Sequence, residues 1–219
     1  MSICRFGFSA ALVAGGALLG TAQAGAATLG FSCITNNAAD SCAIGESQLS
    51  AELTDLGNGS VEFLFKNTGA EAASISQIYF DQPKPPLMQL DTMAYSQGVG
   101  FARNLPDGNG IQFRAVDGAG ANPPVPQNGI NPGEWLKLVF TLNSGSTFAN
   151  LLTSLATGDL RIGTHVQAIG AYGNSESFVN AVPTVVPEPA SLILLGTGLA
   201  GALAARRRRH AAAQQQQQH

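Results

Sequence analysis

Histidine is almost missing from the body of this chain: of three among 219 residues, His210 and His219 fall at the C-terminal end, leaving His165. That excludes a metal centre built on two or more histidines, and any mechanism that needs several. Charge is scarce too. Of 11 basic residues, five (Arg5 and Arg206 to Arg209) sit near the termini, and residues 25–186 carry 13 acidic against six basic side chains, a net of −7. Such a balance argues against direct binding to nucleic acid or anionic lipid. A G-x-S-x-G elbow, a Walker A loop and a G-x-G-x-x-G turn after a strand are all lacking. Paired carboxylates for glycoside hydrolysis could meet only in the fold, and the acidic residues show no clustering that points to them.

Cysteine is equally sparse. Cys4 falls in the N-terminal segment, and Cys33 and Cys42 remain, nine positions apart. In an exported chain the oxidising compartment favours a disulfide between them. Thr35-Asn36-Asn37-Ala38-Ala39-Asp40 between them is turn-rich, so the loop can close, and a loop this short is worth ~2–3 kcal/mol on the chain-entropy view. A metal or redox pair has neither CxxC spacing nor a nearby histidine to support it.

What the chain does have is concentrated at its two ends. Arg5 precedes an apolar stretch from Phe6 to Gly20, and Ala22-Gln23-Ala24 has the A-x-A form of a secretory signal cleavage site. Cleavage is expected after Ala24, with Ala26 and Ala27 as alternatives. No twin-arginine pair precedes the apolar stretch, so the expected route is general secretion of an unfolded chain. At the other end, Val186-Pro187-Glu188-Pro189 leads into an apolar run of 16 residues, Ala190 to Ala205, closed by Arg206, Arg207, Arg208 and Arg209. The two prolines fix φ and disfavour helix in the residue before each, so Pro187-Glu188-Pro189 should present extended backbone. The run is short of the ~20 residues of a straight span, which snorkelling arginines make tolerable. Arginines on one flank only place the C-terminus in the cytoplasm and the body outside.

Pro187-Glu188-Pro189, a short apolar helix and a terminal arginine cluster, in that order, resemble the PEP-CTERM sorting signal of Gram-negative bacteria. The resemblance implies recognition by exosortase, a membrane-embedded cysteine peptidase, with the secretion machinery as a further partner. It also implies anchoring in the inner membrane before processing, then a place on the cell surface or in the extracellular polysaccharide matrix. The domain expectation is a signal peptide at 1–24, an exported domain at 25–186, the sorting signal at 187–209 and a low-complexity tail at 210–219 that contains Gln214 to Gln218.

The exported domain reads as β-structure. Leu49, Ala51 and Leu53 share one side of Gln48 to Leu56, and Val61, Phe63 and Phe65 alternate with Glu62, Leu64 and Lys66. Asn58-Gly59 between them signals a tight hairpin. Further strands are expected at Ser74 to Phe80, Gly98 to Arg103, Ile111 to Val116, Trp135 to Leu142, Leu160 to Tyr172 and Ser177 to Val182. One segment has helical spacing instead: Phe148, Leu151, Leu152 and Leu155, with Ser146 as the N-cap and Gly158 as the stop. Together these suggest an antiparallel β-sandwich of jelly-roll type with one amphipathic helix.

Leu160 to Ile169 and Ser175 to Asn180 look like the final strands of a recurring group of PEP-CTERM passenger domains, which implies a β-rich surface domain and no established chemistry. His165 and Glu176 are then sheet or turn residues. Asp107-Gly108-Asn109-Gly110 and Asp117-Gly118-Ala119-Gly120 resemble fragments of calcium loops but lack the ligand count, so no metal and no cofactor is expected. Two functions fit. One is a non-enzymatic surface or matrix protein, structural or adhesive in biofilm. The other is a carbohydrate-binding or carbohydrate-active domain acting on exopolysaccharide through Tyr79, Tyr95, Trp135 and Tyr172.

Overall fold

The computed structural model describes residues 25–104 and 114–186, with the isolated positions 198, 201 and 206. The expected signal peptide with Ala22 and Ala24, the Asp107 to Gly110 loop, Pro187, Glu188, Pro189, Arg207, Arg208, Arg209 and the 210–219 tail lie outside the described residues. No described helix is long and apolar enough to cross a membrane, and the run expected to do so contributes only positions 198 and 201.

Among the described residues the strands are β1 (Ala26–Cys33), β2 (Leu49–Gly57), β3 (Ser60–Asn67), β4 (Ser74–Asp81), β5 (Met88–Tyr95), β6 (Phe101–Ala102), β7 (Asp117–Ala121), β8 (Trp135–Leu142), β9 (Arg161–Ile169), β10 (Asn174–Asn180) and β11 (Thr184–Val186). The helices are α1 (Ala39–Gln48) and α2 (Phe148–Thr157). The strands pair antiparallel in the order β5-β8-β3-β2-β1-β10-β9-β4-β7-β6, with β11 attached to β1 alone. The antiparallel, mostly β character matches the expectation. The strands run as one continuous sheet curled into a half-barrel, because β1 serves both halves. Its residues Ala26 to Gly30 pair with β2, and Phe31 to Cys33 pair with β10.

Alternation fixes which side faces inward. Leu49, Ala51 and Leu53 on β2, Val61, Phe63 and Phe65 on β3, and Leu136, Leu138 and Phe140 on β8 are all buried. The β2–β3 hairpin turns at Asn58 and Gly59, whose φ values of 51° and 75° are the left-handed pair that a two-residue turn of this kind demands. Across the core, Phe80 of β4 meets Phe63 edge-on at 5.3 Å and lies 4.7 Å from Phe140. This contact joins the inner faces of the two halves, and edge-on aromatic pairs add about 0.5–1.5 kcal/mol each beyond burial.

A polar contact draws the opposite rims together. The buried Asp117 carboxylate of β7 accepts from the amide of Leu90 on β5 at 2.9 Å and from Arg103 Nη2 at 3.2 Å. Arg103 Nη1 donates to the Leu90 carbonyl at 2.7 Å. Here β5 is interrupted by a register shift between Leu90 and Thr92, so the Leu90 amide finds a side-chain acceptor beside an irregular ladder.

Several boundaries differ from the sequence expectation. Of the strand expected at Ile111 to Val116, positions 111–113 lie outside the described residues and 114–116 are not strand, β7 starting at Asp117; of Gly98 to Arg103 only Phe101–Ala102 pairs. Leu160 to Tyr172 shortens to Arg161–Ile169, because Gly170 and Gly173, at φ 61° and 65°, turn the chain into β10. Helix α2 is capped by Thr147, not Ser146: the Thr147 side chain accepts from the Asn150 amide while Asn150 Oδ1 accepts from the Thr147 amide. Gly158 ends it in the left-handed conformation at φ 80°.

Candidate functional site

The densest polar constellation surrounds the loop between β1 and α1. Cys33 and Cys42 form the expected disulfide, with Cα atoms 5.4 Å apart. Beneath the loop lies Glu176 of β10, fully buried. Its Oε2 accepts from Thr35 Oγ1 at 2.5 Å and from the Asn37 amide at 3.0 Å, and its Oε1 accepts from the Ala38 amide at 2.7 Å. Ala38 is the N-cap of α1, and its own side chain cannot cap. Glu176 thus supplies from another strand what the helix start lacks, in a place where negative charge is favoured. Thr35 Oγ1 in turn accepts from the Ser177 amide at 2.9 Å.

The two sulfurs and Glu176 lie close enough to suggest a metal triad. The disulfide occupies both sulfurs, however, and both carboxylate oxygens already accept hydrogen bonds from the loop. Chemically the arrangement is a staple: it holds the exit of β1, the start of α1 and β10 in one register. Helix α1 completes it by laying Gly45 against the Phe178 ring so closely that a Cβ there would fall 2.1 Å from Phe178 Cζ.

His165 and Glu176 both lie in strands, as expected, on β9 and β10. His165 Nδ1 sits 3.2 Å from Ser177 Oγ, and desolvation by burial lowers the imidazole pKa below its ordinary value. Ser177 is itself buried, and Glu176, one residue earlier on the strand, points to the other face of the sheet. The three residues therefore do not converge.

The four candidate aromatics are separated as well. Tyr79 is buried against Ala115 and Val179, with its hydroxyl directed to Gln77. Tyr172 is 91% exposed in the β9–β10 turn. Tyr95 pairs opposite Leu136, so it shares a sheet face with that residue, whereas the neighbouring Trp135 pairs with Lys66 on the other. Trp135 lines an open groove of ≈ 460 Å³ with Leu64, Lys66, Lys137 and Glu134. Both lysines are already matched, Lys66 by Glu52 at 2.6 Å and Lys137 by Glu62 at 3.0 Å.

Asp117, within the glycine-rich run compared with calcium loops, is bound in a strand by Arg103 and the Leu90 amide. The Glu176 anchor and the Asp117 contact carry no local sequence signature, because each joins residues distant in the chain. The nearest hint is the turn-rich run from Thr35 to Asp40, whose backbone amides need acceptors from elsewhere.

The C-terminal side of the domain supplies the deciding match. The PEP-CTERM protein-sorting motif matches residues 185–209. This chain carries a PEP-CTERM sorting signal. The match takes in Pro187, Glu188, Pro189 and Arg206 to Arg209, and it begins inside β11. The PEP-CTERM motif implies processing by exosortase, with export and membrane anchoring beforehand. No curated protein and no solved structure shows significant similarity to this chain.

Because the disulfide and Glu176 hold one loop, their effects on stability should couple. Cys33→Ala/Cys42→Ala should cost about 2–3 kcal/mol in urea unfolding of residues 25–186. Glu176→Ala, which strands three part-buried donors, should cost about 2–3 kcal/mol. The combined variant should lose at least about 0.5 kcal/mol less than the sum, whereas additivity within about 0.3 kcal/mol would show two independent devices.

Proposed function

We propose that residues 25–186 form a non-enzymatic surface or extracellular-matrix domain, delivered by the sorting pathway and structural or adhesive in biofilm or exopolysaccharide. Residues 1–24 act as the signal peptide and 190–205 as a temporary membrane helix with Arg206 to Arg209 on its cytoplasmic side. The observation that carries this reading is the sorting motif at 185–209, continuous with the last strand of the folded body. The use of the chemically capable side chains supports it: Cys33, Cys42, Glu176 and Asp117 are each committed to structural partners. In the same reading the two halves of the curled sheet, joined through Phe80, act as the layers of a jelly-roll-like sandwich. Replacing Pro187, Glu188 and Pro189 by alanines should leave the protein in the inner membrane with its C-terminal segment attached. An identical mature C-terminus in wild type and variant, read by mass spectrometry, would contradict exosortase processing.

A second reading rests on the Trp135 groove. An indole flanked by Lys66, Lys137 and Glu134 offers a stacking surface with polar groups at its margin, which suits a sugar ring. A glycan array with residues 25–186 decides between the readings. Binding that disappears in Trp135→Ala favours a carbohydrate-binding module, and the absence of binding in wild type favours the structural role.

A further inference from the structure

We infer that β11 is a releasable tether, and that exosortase acts only after Thr184–Val186 has peeled away from β1. The inference rests on the reading of residues 185–209 as a membrane-anchored exosortase substrate. Its physical basis is chain length. β11 ends at Val186, and the apolar run begins at Ala190. Between the folded body and the membrane segment there remain Pro187, Glu188 and Pro189, which fully extended reach ~10 Å. A peptidase cleft that holds its substrate as an extended strand must also take residues on the N-terminal side of the scissile bond. Those residues are Thr184, Val185 and Val186, and β1 holds them, in the register Thr28↔Thr184, Ala27↔Val185 and Ala26↔Val186.

Three features make this strand suited to leaving. It is three residues long, and all three are exposed, with Val185 and Val186 at 46% each, so little apolar surface is uncovered when it departs. It lies off the main strand path: β1 keeps β2 and β10 as partners, and the sheet stays continuous without β11. Releasing it also lengthens the free connection to about six residues, or ~20 Å, enough to lift the body clear of the bilayer. The N-terminus belongs to the same arrangement. Signal cleavage after Ala24 would leave Gly25 one residue before the Ala26↔Val186 pair, so both processing points lie at one corner of the domain. Complete folding, including the β1–β11 pairing, therefore restrains the cut, and the rate follows the fraction of molecules with β11 open.

The test uses the full-length chain in cells, following conversion of precursor to processed protein after a pulse of label. Thr28→Cys/Thr184→Cys places a cross-link across a directly paired position, to be verified by peptide mapping, with the two single variants as controls. The cross-linked precursor should be processed at least about tenfold more slowly than wild type, and a reductant should restore the rate. Thr184→Gly, outside the matched motif, weakens the strand without a cross-link and should speed processing about two- to fivefold. Wild-type rates in both the cross-linked and the glycine variants would overturn the tether. The Pro187, Glu188 and Pro189 to alanine variant separates the two claims: if it too is processed normally, the exosortase reading fails and takes the tether with it. If it is blocked while the cross-link has no effect, only the tether fails.

Discussion

The fold depends on β1 changing partners midway. Five residues of one strand complete one half of the sheet and the next three begin the other half, so the curl is set where Gly30 gives way to Phe31. A strand that divides its pairing in this way has only three residues with which to hold β10. The disulfide and Glu176 reinforce that weak point: Cys33 is the last residue of β1, and Glu176 belongs to the strand it must keep. Burying a carboxylate is costly unless donors meet it, and here two backbone amides and a hydroxyl do so from a loop that itself needs fixing.

Closure on the far side uses the same economy. The phenylalanine contacts supply apolar burial between the halves, while Asp117 and Arg103 satisfy backbone groups that the irregular rim leaves unpaired. Among the described residues, Glu176, Asp117 and Arg103 each complete backbone hydrogen bonding at a loop or an irregular edge of the sheet. That distribution is why the residues capable of chemistry are found serving structure.

How much of this could be read from the sequence follows from where the information lies. Strands with apolar–polar alternation, β2, β3 and β8, and the helix with an apolar stripe, α2, were legible because burial alone shapes their sequences. Helix α1 was not, because its buried face is Ser41, Cys42, Gly45 and Gln48: the spacing is helical, but the residues are small or polar and leave no hydropathy signal. Strand β7 was disguised by its glycines, which read as a turn, although Asp117–Ala121 is almost wholly buried. Strand β1 does alternate, at Ala27, Leu29 and Phe31, but it follows directly on a signal-like segment whose small apolar residues blur where the alternation begins. The disulfide was legible because two cysteines in an exported chain leave one pairing. The Glu176 anchor was not, since its partners lie some 140 positions away.

The sorting tail is the opposite case, recognisable in sequence and matched at 185–209, and in the fold its first residues, Val185 and Val186, belong to β11. In the proposed reading a disulfide-closed β-domain is separated from its membrane segment immediately after β11. The intact mass of the protein recovered from outside the cells tests this most directly. The expected chain starts at Gly25, ends within Pro187 to Pro189, and is two hydrogens lighter than its reduced form. A mass that retains Arg206 to Arg209 would contradict it.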